Sequence, residues 1–246
     1  MASLLNMNGE DPQERPEQIR NIIGGLERYN PQAAEVLEAY LQQQCEEKFC
    51  DCNANRALLK LYQLNPDRIK DEVVTNVLVK TMTQFPSPQF DLAIHLLSPA
   101  NSNPGPGSTS DLAEAVGKLR VLNSYLESAN YSRFWATLEQ DNDDIYADLT
   151  TDIKGFEDMI RVKIAQLLSQ AYREISLSTL EGALGLDGED KVTQYVTETC
   201  GWKIGEGGVV LIPKNAENEA KKTEIREDVS IDMFSRVIKR SWEETA

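Results

Sequence analysis

The chain has 246 residues, 41% of them apolar, and a formal net charge of −15. That is enough apolar material for a large core, too much for a disordered polymer, and the acidic balance opposes phosphate backbones and anionic lipid. No apolar run approaches the roughly 18 residues needed to span a bilayer, and residues 1–15 lack the basic start and apolar centre of an export signal.

Residues 1–15 therefore read as a polar N-terminal tail. Four cysteines without an export signal point to reduced thiols and a cytoplasmic, or also nuclear, location.

Helical spacing governs the chain from there to about residue 200. Ile19, Ile22, Ile23 and Leu26 share one face, weakened by Gly24-Gly25. Asn30-Pro31 predicts a cap and first helical residue for a helix striped by Ala33, Val36, Leu37, Tyr40 and Leu41. A third helix is expected after Asn53, with Ala54, Ala57, Leu58, Leu61 and Tyr62 inward. Asn65-Pro66 repeats the cap signal ahead of Ile69, Val73, Val74, Val77 and Leu78. Pro86 and Pro88 end that face, and Phe90, Ala93, Ile94 and Leu97 supply a short fifth helix. The Pro/Gly/Ser-rich stretch 98–110 reads as a flexible loop. Asp111 with Glu114 then predicts a capping box for a helix with Leu112, Val116, Leu119 and Leu126 inward, and Phe134, Trp135 and Leu138 anchor another. These helices, over residues 16–150, predict a right-handed, HEAT-like stack of helix pairs without a fixed sequence period.

The last third changes character. Residues 156–175 predict one long helix with Phe156, Ile160, Ile164, Leu168, Tyr172 and Ile175 on a face. Ser178 with Glu181 predicts a second capping box, and that helix stops at Gly185. A third helix runs from about Glu189, with Val192, Tyr195 and Val196 inward, to a left-handed cap at Gly201. The period then falls to two: Trp202-Lys203-Ile204, a glycine-rich turn at 205–208, and Val209 to Ile212 form a hairpin ended by Pro213. Three helices and a hairpin are the order of a winged helix, over residues 151–213. Residues 214–228 read as a charged linker, and residues 229–246 as a C-terminal amphipathic helix. Its stripe is Ile231, Phe234, Val237, Ile238 and Trp242.

Reactive chemistry finds little support. His95 is the one histidine, so neither a Ser-His-Asp set with a second histidine nor a His-based metal site can form, and it reads as structural. Cys45, Cys50 and Cys52 cluster, but with Cys200 far off they lack the paired spacing of a zinc site. Asp141-Asn142-Asp143 invites a calcium loop, yet Tyr146 stands where the turn needs glycine. The glycines at 205, 207 and 208 lie between strands, with no lysine and hydroxyl following, so they serve a turn and not a phosphate. No catalytic residue, metal or cofactor is expected.

A winged helix raises nucleic acid as a rival ligand. Between Asp187 and Pro213, however, five acids (Asp187, Glu189, Asp190, Glu198, Glu206) face two bases, Lys191 and Lys203. That sign is wrong for phosphate. The hairpin edge, at Trp202, Val209 and Leu211, is instead suited to pairing with a neighbour's sheet, and the tail stripe needs a surface to cover it, on its own body or on partner helices.

A helical stack, a winged helix and a tail helix are also the layout of the PCI superfamily, the scaffold subunits of the proteasome lid, the COP9 signalosome and translation initiation factor three. Arg28-Tyr29-Asn30-Pro31, Lys60-Leu61-Tyr62-Gln63-Leu64-Asn65-Pro66, Phe134-Trp135-Ala136-Thr137-Leu138, Gly155-Phe156-Glu157-Asp158-Met159-Ile160-Arg161 and Gly201-Trp202 occur in order. They resemble the subunit k family of that initiation factor from about Pro16 to Trp242. The resemblance implies a mainly α, PCI-like fold and a non-catalytic scaffold role in assembly of the small-subunit preinitiation complex. It also implies contacts with other subunits, above all subunit l, and with the small ribosomal subunit only through the complex. DNA and membrane are not expected partners. Loop 98–110 and the N-terminal tail look longer than the family's pattern. A lid or signalosome subunit, or a nucleic-acid-binding regulator, are the alternatives.

Overall fold

The computed structural model describes residues 12, 15–102, 110–139, 145–205, 207–219 and 230–243. The fold is mainly helical with one small sheet.

The first helices follow their apolar stripes. Helix α1 (Glu17–Gly24) buries Ile19 and Ile22 and ends at the glycine pair; the chain then makes a 3-10 turn that leaves Leu26 exposed, so Leu26 does not extend the buried face. The expected cap at Asn30 is displaced: α2 (Ala33–Glu46) starts after Gln32 with no side-chain cap, Pro31 lies in the turn before it, and the Asn30 side chain steadies that turn by accepting from the Gln32 amide at 3.1 Å. The start of α3 (Cys52–Leu64) differs from the expectation at Asn53. Asp51 is the cap, accepting from Ala54 N at 3.0 Å. A carboxylate there also completes a buried network that Asn53 could not reach. Asp51 takes a bidentate contact from Arg15 (2.5 and 2.8 Å) and the Tyr40 hydroxyl at 3.3 Å, while Gln44 bridges the Asp51 amide and Asn55. The last residue of the supposed tail is thus fixed to the body; residues 1–11, 13 and 14 lie outside the described residues.

Pro66 opens a 3-10 turn, not a helix, and α4 (Asp71–Met82) begins one turn later. Helix α4 buries Val74, Val77, Leu78 and also Lys80, whose ammonium donates to Glu47 O at 3.2 Å. Burial lowers the Lys80 pKa. Helix α5 (Gln89–Ile94) buries Phe90, Ala93 and Ile94. Part of the 98–110 loop is helical: α6 spans Pro99–Ser102, while 103–109 lie outside the described residues. Helix α7 (Asp111–Glu127) is capped by Ser110, one residue before the expected cap, and Glu114 pairs with Lys118 at 2.8 Å rather than closing a capping box. Helices α8 (Tyr131–Glu139) and α9 (Ile145–Thr151) complete the stack.

Helix α10 (Phe156–Ala171) is shorter than the expected span to Ile175. Glu174–Ser176 is instead strand β1. Ile175 fits both a helical and a two-residue period; pairing with Val210 decides for the strand. Ser176, not Ser178, then caps α11 (Leu177–Leu184), accepting from Thr179 N at 3.2 Å, and Glu181 accepts from Gly188 N. Helix α12 (Glu189–Gln194) runs on as a π-helical turn to Cys200 and stops at Gly201, φ +68°. Strands β2 (Lys203–Ile204) and β3 (Val209–Leu211) form the hairpin, and β1 joins on the other side, so the sheet order is β1-β3-β2, antiparallel throughout.

Buried side chains from Ile19 to Ile212 form one continuous cluster, so the stack and the winged helix share a core. The start of the expected linker is also anchored. Asn215 and Asn218 donate to Ser169 O at 2.7 and 3.0 Å, satisfying a carbonyl at the end of α10 that has no intrahelical partner. Residues 220–229 lie outside the described residues. The last helix is α13 (Ile231–Glu243).

Candidate functional site

Trp135 and Arg161 join the winged helix to the stack around Gly185. The Trp135 indole, on α8, donates from Nε1 to Ala183 O at 2.9 Å, and its ring lies over Gly185. Gly185 adopts φ +58°, and a Cβ there would stand 2.4 Å from Trp135 Cγ, so only glycine lets the ring seat. Arg161, on α10, covers the other part of the indole, 4.8 Å from guanidinium carbon to ring centroid. It donates to Leu184 O at 3.0 Å and pairs with Glu157 at 2.8 Å. Trp135 and Arg161 come from two of the quoted family strings. Their pattern marks the joint that orients the winged helix on the stack, which spacing alone did not reveal.

The joint leaves the sheet's outer face open. Val210 is buried with Ile175, while Glu174, Leu211 and Lys203 stand opposite one another on the other face. The predicted contact residues separate here. Trp202 is only 4% exposed; it belongs to the core and braces the hairpin, its amide donating to Val196 O at 3.0 Å. Val209 and Leu211 lie on the central strand, with β1 on one side and β2 on the other, so no free backbone edge runs along them. β1 occupies the edge of β3 that a lone hairpin would have left open. Leu211 nevertheless offers a 41% exposed side chain, and the outer edges of the sheet are β1 and β2.

Electrostatics across this module match the sequence reading. Glu189 and Asp190, in the first turn of α12, and Glu198 further along are exposed, where a groove-reading helix would approach phosphate. Glu206 lies outside the described residues, as do Asp141, Asn142 and Asp143.

The tail helix is the opposite case. Ile231, Phe234, Val237, Ile238 and Trp242 all lie on one side of α13, and α13 buries no residue. Ile231 is 82% exposed and Trp242 76%. Counting 100° per residue, the stripe covers an arc of about 140°, extended to about 180° by Met233. Arg236, Lys239 and Arg240 occupy the far side with Asp232 and Glu243.

The residues considered for chemistry have structural settings. His95 is exposed, its Nδ1 2.6 Å from Asp91 O. Cys45, Cys50, Cys52 and Cys200 are buried and unpaired by disulfides. Cys50 and Cys52 lie with sulfurs 3.8 Å apart; that contact and burial push the Cys50 thiol well up. Burial pushes Cys200 up to about 12. Such thiols are poor nucleophiles and poor metal ligands near neutrality. Among the described residues no group of three His, Cys, Asp or Glu side chains is placed to hold a metal ion, and no helix is long and apolar enough to cross a membrane.

Comparison with known proteins agrees with the architecture. The model of the CSN8/PSMD8/EIF3K family matches residues 68–224, from the first turn before α4 to beyond the winged helix. The chain is 75% identical over 240 residues to the eukaryotic translation initiation factor 3 subunit K of Neurospora crassa, covering 98% of this chain and 100% of that protein. It is 65% identical to the subunit K of Pyricularia oryzae (97% and 98% covered) and 46% identical to that of Emericella nidulans (94% and 96% covered). The chain belongs to the CSN8/PSMD8/EIF3K family, in the branch of the initiation factor 3 K subunits.

Proposed function

We propose that this chain is a non-catalytic scaffold subunit of the eukaryotic translation initiation factor three complex, acting in the cytoplasm in assembly of the small-subunit preinitiation complex. Near-full-length relatives bearing that subunit's name favour this complex over the proteasome lid and the signalosome, whose subunits share the family description. The observation that carries the mechanism is α13. Its stripe is continuous and large, and each of its residues is exposed among the described residues. Burying Phe234, Val237, Ile238 and Trp242 against partner helices contributes on the order of 1.5–3 kcal/mol each. An arc of about 140° is wider than the seam of a two-stranded coiled coil, so α13 suits a groove between two or more helices. The sheet's outer edges and Leu211 are the secondary contact, with half-buried Val209 on the same face as Leu211 and buried Trp202 bracing the hairpin. Among the other subunits, subunit l is the expected neighbour, and the small ribosomal subunit is reached through the complex.

The test is incorporation. Phe234→Ala with Trp242→Ala, in the full-length chain, is expected to reduce co-purification with the other initiation factor subunits at least about tenfold, the loss of one to two buried side chains. Incorporation equal to that of the unaltered chain would refute the role of α13. Recovery of the unaltered chain without other initiation factor subunits would refute the assignment to the complex.

A further inference from the structure

The N-terminal turns of α4 and α7 converge beside α9 and enclose a groove of about 310 Å³. Its floor is apolar, from Leu112, Ala115 and Leu149, and its rim carries Asp71, Glu72, Asp111 and Glu114. The four rim carboxylates are exposed. One cation, Lys118, lines the groove and is paired with Glu114 at 2.8 Å. Each helix N-terminus contributes about half a positive charge, roughly one in total. Four carboxylates against Lys118 and that dipole leave the groove about two charges negative.

We infer that this groove docks a basic amphipathic segment of a protein partner, one large apolar side chain resting on Leu112, Ala115 and Leu149 with lysine or arginine residues on either side. Three features select that occupant. The volume lies at the lower end of the roughly 300–1,000 Å³ range of ligand pockets, the scale of an anchoring side chain. The carboxylates surround the floor instead of converging; among the described residues no three His, Cys, Asp or Glu side chains can share an ion, so the charge suits cations spaced along a chain. An acidic or neutral peptide would bury Asp71, Glu72 and Asp111 without supplying a cation to them, which disfavours it. The groove lies on the stack, away from α13 and the sheet, so this contact is additional to those proposed above.

The test uses purified full-length chain and a fluorescein-labelled peptide, Lys-Arg-Trp-Leu-Lys-Arg, with Glu-Glu-Trp-Leu-Glu-Glu as its counterpart. The basic peptide is expected to bind, more weakly as salt rises, and the acidic one not to bind. Glu72→Gln with Glu114→Gln is expected to weaken binding about tenfold. Ala115→Trp, which fills the floor without changing charge, is expected to abolish it; the charge pair serves as the independent variant, because both sites are solvent-facing. Equal binding by the charge variant and by Ala115→Trp would mean attraction to the chain's overall negative charge and would overturn the proposal, as would no binding of the basic peptide. A gain of about tenfold on Arg236→Glu, Lys239→Glu and Arg240→Glu together would identify the chain's own tail as the occupant and overturn it equally.

Discussion

Helices α10 and α13 carry the same kind of apolar stripe to different ends. Helix α10 places Phe156, Ile160, Ile164 and Leu168 in the shared core, and its two flanks are tied down by Arg161 on the indole and by Asn215 and Asn218 at its last turn. Helix α13 has a stripe of comparable size and buries none of it. Periodicity is thus equal evidence for a helix in both cases and no evidence for where the helix rests. What separates them is connection: the stripe of α10 lies within the shared core, whereas the sequence between Asn218 and Ser230 is mostly charged and polar, with Ala220, Ile225 and Val229 as its scattered apolar residues. The body's stripes hold the fold; the tail's stripe is exposed among the described residues.

The largest expected effect breaks the body. Trp135→Ala removes a buried indole, its hydrogen bond and the surface on which Arg161 rests, and is expected to cost about 3–5 kcal/mol, read as a lowered urea midpoint. A loss below 1 kcal/mol, on the order of a surface change, would mean that the joint does not bind winged helix to stack. Gly185→Ala adds a methyl group into the same ring at positive φ, and should cost about 1–3 kcal/mol in the same measurement, provided that the backbone holds its left-handed turn. Wild-type stability there would show the ring free to retreat.

A smaller effect is set by pH. The folded Cys200 thiol titrates near 12, above its ordinary value of 9.0, because burial opposes the thiolate. A raised folded pKa means that the associated stability is complete below 9.0 and is lost as pH climbs through 12. Cys200→Ala lacks this loss, so between roughly pH 8 and pH 10.5 its unfolding free energy should fall less than that of the unaltered chain. Parallel pH profiles would contradict the assignment. The smallest effect sharpens the other half of the comparison. Phe234→Ala with Trp242→Ala should leave the urea midpoint within about 0.5 kcal/mol of the original, despite removing two large aromatic side chains. A larger drop would mean that the stripe is covered by the body after all.

Much of this was legible in the residues, and the misses have a common cause. Stripes such as Leu112, Val116, Leu119 and Leu126 were plain because burial on one face imposes their spacing. Caps were displaced by one or two positions. Asp51, Ser110 and Ser176 each sit close to a second residue able to cap, and the choice was made by distant partners, Arg15 and Tyr40 in the first instance. Strand β1 was hidden because Ile175 falls on both periods, and its deciding partner, Val210, lies far along the chain. Leu211 and Val209 were singled out correctly as a hairpin strand, yet the edge expected there was already taken. The joint at Trp135 and the groove above α9 depend on which helices meet, which no local pattern states. The tail helix was read directly, since α13 buries no residue and its amphipathic spacing is local.

The sheet order has one more consequence, for the order in which the protein matures as it is synthesised. β3 lies between β1 and β2, and β1 precedes the two helices that separate it from the hairpin. Until Val209–Leu211 has emerged, neither outer strand has a partner, and Ile175 lacks its cross-strand neighbour Val210. Closing the winged helix is therefore a late event in synthesis, completed in one step by the arrival of three residues. Any chain that ends between Ile204 and Val209 carries two unpaired strands into solution, the state most open to illegitimate pairing.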